Sequence, residues 1–113
     1  MERNARGHRL IQSAANPVIK RAKSLRDKKH RKSEGLFLAE GLRILTEARE
    51  AGVLPVQLFY AEDRPGHPLA EELMAATLAS GGEVIATSED ILSRLSGKDN
   101  PQTVIGVYRE TAT

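Results

Sequence analysis

The sequence predicts an α/β protein: a three-layer α/β/α sandwich on a mostly parallel or mixed four-stranded sheet, preceded by a basic N-terminal helix. Three observations lead there. Four apolar runs of strand length recur along the chain, at Leu36–Ala39, Val56–Tyr60, Val84–Ala86 and Thr103–Tyr108. Segments of helical periodicity separate them, so the connections are crossovers rather than hairpins. The length of 113 residues and an apolar fraction of 40% suit one hydrophobic core covered on both faces.

Residues 1–13 are polar and basic, with Leu10 and Ile11 their only large apolar residues after Met1, and read as a flexible arm. The domain proper covers residues 14–113. Asn16-Pro17 has the form of a helix start, an Asx cap followed by proline at the first helical position. Val18, Ile19, Ala22 and Leu25 continue as a narrow apolar stripe, and the helix is expected to run to about Arg31. Gly35 ends it. Leu42 to Ala48 has helical period and stops at Gly52. Pro68 opens a helix through Leu69, Leu73, Met74, Ala76 and Leu78, closed by Gly81-Gly82. Ser88 caps a short helix with Ile91, Leu92 and Leu95, whose acidic first turn, Glu89-Asp90, suits the positive end of its dipole. A turn over Gly97-Lys98-Asp99-Asn100-Pro101 leads to the fourth strand.

Charge is unevenly spread. The net +2 of the chain divides into +8 over residues 1–34 and −6 over the remainder. Clustered Lys and Arg attract phosphates and release condensed counterions, so this block points to a polyanion-facing surface; the bland alternative is a solvated helix face. The chain has no cysteine, which removes disulfides and thiolate metal sites, and His8, His30 and His67 are too scattered to suggest a metal centre. No apolar run approaches the ~18–20 residues of a membrane span, and no leader is evident, so a cytoplasmic protein is expected. Phosphate-cradling glycine loops, nucleophile elbows and cysteine nucleophiles are absent from the sequence. Glu71-Glu72 and Glu89-Asp90 fit helix caps better than an acid/base pair. No catalytic constellation is expected in this chain.

The informative stretch is Asn16-Pro17-x-Ile19-Lys20, then Leu25-x-x-Lys28-Lys29-x-Arg31, then Gly35-x-Phe37-Leu38-x-Glu40-Gly41-x-Arg43. Near the other end stands Asp99-Asn100-Pro101-Gln102-x-Val104-x-Gly106-Val107. These blocks, in this order, resemble the N-terminal substrate-binding domain of the SpoU/TrmH family of RNA ribose 2′-O-methyltransferases. The resemblance implies a ribosomal-protein-like fold that holds structured ribosomal or transfer RNA. It implies S-adenosylmethionine and the catalysis in a separate SPOUT domain, which also dimerises, with no cofactor and no activity expected of this chain alone. As such, the chain is expected to be a monomer.

On that reading Lys20, Arg21, Lys23, Lys28, Lys29, Arg31 and Lys32 are candidate phosphate contacts. Arg26 and Arg43 offer guanidinium planes that can bond bidentately or stack on an unpaired base; for Arg26 a surface pair with Asp27 or Glu34 is an equal alternative. Asn16, Pro17, Gly35, Glu40 and Gly41 are the structural positions of the motif, Asn16 as a cap and Glu40-Gly41 as the turn into the next helix. With aromatics at only 4%, recognition is expected to rest on shape and phosphates. Two other readings stand beside it: a free-standing ribosomal-type RNA-binding protein, which predicts the same basic surface, and a small α/β protein-interaction module, which predicts a protein partner for the acidic half.

Overall fold

The computed structural model describes residues 2–97 and 104–110. Its strands are β1 (Arg9–Leu10), β2 (Leu36–Glu40), β3 (Gln57–Ala61), β4 (Glu83–Thr87) and β5 (Val104–Arg109). Its helices are α1 (Pro17–Ser24), α2 (Lys28–Glu34), α3 (Leu42–Glu50), α4 (Pro68–Ala79) and α5 (Glu89–Ser96). The strands form one mixed sheet in the order β1-β4-β3-β5-β2. The pairs β1–β4 and β4–β3 are parallel, while β5 runs antiparallel to both β3 and β2.

Alternation along each strand builds two cores. Phe59, Ile85, Ile105 and Val107 point to one face and pack with Ile19, Ala22 and Leu25 of the α1 segment and with Ile91, Leu92 and Leu95 of α5. Leu58, Tyr60, Val84, Ala86, Val104 and Tyr108 point to the other, beneath Leu45 of α3 and Ala70, Leu73 and Met74 of α4. The period of two in the sheet meets helices of period 3.6 on both sides, which is the α/β/α sandwich. Phe37 and Tyr108 are cross-strand partners, with their rings stacked at 5.8 Å between centroids. Burial pushes the Tyr108 hydroxyl up to about 12.

The sheet has five strands rather than the expected four. The added one lies in the segment expected to be an arm: Arg9 and Leu10 pair with Ile85 and Ala86, the Ile11 amide donates to the Ala86 carbonyl at 3.0 Å, and Ile11 is buried. Two apolar residues are enough when a parallel partner and a core edge await them.

The expected helix from Pro17 to Arg31 is two helices. α1 ends at Leu25, and Asp27 has extended backbone (φ −92°, ψ 125°), so its carboxylate accepts from the Lys29 amide at 2.9 Å and starts α2 anew. An Asx residue competes with the helix for its own backbone, and here it wins. Gly35, with φ +68°, closes α2 and turns the chain into β2. β2 extends one residue past the expected run, to Glu40, and Gly41 alone makes the turn: its φ of +108° is open to glycine, and its amide bonds the Val104 carbonyl at 3.1 Å. Glu40 is therefore a strand residue and not part of the turn. The turn at residues 98–101 and the Pro101-Gln102 pair fall outside the described residues.

Candidate nucleic-acid interface

Asn16 caps α1 through a 2.9 Å bond from the Val18 amide, and Pro17 follows at the first helical position. Ile19, Ala22 and Leu25 bury one narrow side against the α5 layer, so Lys20, Arg21 and Lys23 are left in solvent. α2 differs in kind. It has no buried residue at all.

A helix of seven residues that buries nothing needs other ties. They are the Asp27 cap, the Gly35 cap, and two arginines. The Arg31 guanidinium donates to the carbonyls of Leu25 at 3.1 Å and Arg26 at 2.8 Å, satisfying groups that the end of α1 leaves open. Arg21 pairs with Glu34 at 2.8 Å, linking α1 to the end of α2. The arginines hold the pair of helices, and Lys20, Lys23, Lys28, Lys29 and Lys32 stay exposed on it. Lys20, Lys23, Ser24, Arg26, Asp27 and His30 line an open groove along this surface.

Arg26 makes neither of the expected ion pairs its main contact. Its guanidinium lies against Gly97, where an added Cβ would collide with it, at the C-terminal end of α5. There the negative end of the helix dipole favours a cation. Arg43 stands apart. It is 91% exposed at the start of α3, on the sheet face opposite α1, and lies 3.5 Å from Glu47. The structure thus gathers Lys20, Arg21, Lys23, Arg26, Lys28, Lys29, Arg31 and Lys32 on one surface and leaves Arg43 on another.

A second polar cluster escaped the sequence. His8 is buried, and its Nδ1 lies 2.8 Å from the Tyr60 hydroxyl, which also accepts from the Asn4 amide group at 2.9 Å. Arg6 pairs with Glu71 and sits over the Tyr60 ring. Arg6, Tyr60 and Glu71, together with Glu62, Arg64 and His67, line a cavity of about 130 Å³ at the end of β3. Burial holds His8 below its ordinary value; Arg6 and Arg3 lower it further, against the opposing carboxylates of Glu71 and Glu62. The partners of His8 and Arg6 are 52 and 65 residues away, so no local pattern announces them. Among the described residues no cluster of His, Asp and Glu could hold a metal ion, and no helix is long and apolar enough to cross a membrane.

The MRM3-like substrate binding domain family matches residues 16–106, a span that holds both the basic helices and the whole sheet except β1 and the last residues of β5. The chain belongs to this family. Among solved structures, the MRM3-like domain is similar to an rRNA methyltransferase from Sinorhizobium meliloti, with 32% identity and a TM-score of 0.82 over 93% of this chain. It is also similar to an RNA 2′-O ribose methyltransferase, with 34% identity and a TM-score of 0.76 over 90% of this chain. The chain spans 38% of the length of each. A Giardia lamblia 15.5kD RNA binding protein shares the fold at 14% identity and a TM-score of 0.61, with 88% of this chain and 84% of that one covered. No curated protein matches the chain by sequence.

Proposed function

We propose that this MRM3-like domain binds structured RNA through the α1–α2 surface and presents a ribose 2′-hydroxyl to a methyltransferase. The observation that carries the reading is α2 itself: a helix that buries nothing, held by arginine–carbonyl bonds and caps, with its lysines turned to solvent. Such a surface has no packing purpose, and it stands on a domain similar to part of an rRNA methyltransferase. Lys20, Lys23, Lys28, Lys29 and Lys32 contact phosphates. Arg21 and Arg31 position the helices that carry them, and Arg43 offers a separate contact on the other layer.

The domain contributes affinity and orientation, raising the effective concentration of the target ribose. Methyl transfer from S-adenosylmethionine falls to the part of such an enzyme that this chain does not align with; the S. meliloti relative has been solved with AdoMet bound. The RNA is ribosomal or transfer RNA. The test is binding of this chain to folded ribosomal RNA fragments and to transfer RNA, beside a variant with Lys28, Lys29 and Lys32 changed to Glu. Micromolar or tighter binding that the variant loses supports the reading. Equal binding by the variant, or none by the wild type at low salt, contradicts it.

A further inference from the structure

The basic groove does not stop at Arg26. On the other side of this guanidinium a second groove begins, beside the outer edge of β2. Leu25, Leu38, Leu95 and the Phe37 ring line it together with Arg31, Glu40 and Ser96. Arg26 lines both grooves. Two guanidiniums beside leucine and phenylalanine side chains suit a flat ring with polar edges.

Arg26 has a seat against α5. Its guanidinium rests on the backbone of Gly97, the left-handed cap of α5 (φ +73°), in space that any side chain there would fill. Its backbone carbonyl is pinned by Arg31 at 2.8 Å. A guanidinium plane is a stacking surface for an unpaired base. We propose that Arg26 stacks on one unpaired base of the bound RNA, seated in the groove between α2 and the edge of β2, with Lys20 and Lys23 on the adjoining phosphates. This rests on the reading of the surface as RNA-binding, and adds that it takes a single-stranded residue. Bases inside an A-form duplex cannot reach such a slot.

The test compares two probes of equal length and charge, an oligouridylate and the same oligomer built of abasic ribose units. The wild type is expected to bind oligouridylate about tenfold more tightly, the scale of one base stack. Arg26→Lys keeps the charge and the salt dependence but brings the ratio close to one. Gly97→Ala displaces the guanidinium and does the same; since its positive φ burdens folding, a thermal melt accompanies it and Arg26→Lys carries the test if it unfolds. Equal wild-type affinity for both oligomers, or an unchanged ratio in Arg26→Lys, overturns the stack. Binding of neither oligomer nor folded RNA strikes the underlying RNA reading instead, and the proposal with it.

Discussion

At the scale of single residues, the arginines of the basic surface divide by what they touch. Arg31 spends its guanidinium on two carbonyls of the α1–α2 turn, so its removal leaves those groups open. Arg31→Ala is expected to lower stability by ~1–2 kcal/mol in urea unfolding, as expected for bonds from a charged donor, whereas Lys32→Ala, on an exposed side chain, changes it by no more than ~0.5 kcal/mol. Equal effects would remove the positioning role of Arg31. His8 supplies a pH dependence. Its proton affinity is lowered in the fold, so as pH falls below about 6.5 the unfolded chain takes up a proton before the folded one does. Stability is therefore full above that pH and declines below it, until folded His8 itself titrates. Unfolding curves recorded from about pH 7.5 down to 5 show this decline, and His8→Gln flattens it. An unchanged slope in His8→Gln would place the pH response elsewhere.

At the scale of elements, what the sequence discloses is what local chemistry decides. α4 and α5 were legible because proline or serine opens them and their apolar residues recur at helical spacing. The strands β2 to β5 were legible as short apolar runs between glycines and caps. The break between α1 and α2 was not, since Lys28 to Lys32 carries no apolar period and helix propensity alone favours continuation. Asp27 decides it by taking the Lys29 amide. Asp27→Ala is expected to cost ~1 kcal/mol, the usual worth of an N-cap, and to loosen α2 in amide exchange while leaving α5 protected. If α2 and α5 lose protection together, the two helices form one cooperative unit and α2 is no appended element. β1 was hidden for a different reason: two residues hold no periodicity, and their place is set by β4, far along the chain.

At the scale of the whole molecule, stability and binding reside on different parts of the fold. Two cores pressed on a five-stranded sheet hold the domain, and α2 contributes no buried residue to either. The charge asymmetry that the sequence displays is thereby explained: the basic block occupies a surface that packing leaves alone. What composition did not show is that this surface borders a groove where Phe37 and leucines stand beside Arg26 and Arg31, because these residues meet only in the fold. The isolated domain is expected to scatter light with the mass of one chain; a stable dimer at micromolar concentration would mean that a second copy covers part of its outer surface.

The assignment of the RNA surface is tested most directly by the salt dependence of affinity for a folded ribosomal RNA fragment, measured for the wild type and for Lys28→Gln, Lys29→Gln and Arg49→Gln. Each α2 substitution is expected to weaken binding and reduce the slope of log affinity against log salt by about one, the signature of one fewer phosphate neutralised. Arg49→Gln, on α3 across the sheet and 3.9 Å from Glu72, leaves the slope unchanged. A slope that falls for Arg49→Gln and holds for the two lysine variants would contradict the placement of RNA on α1 and α2.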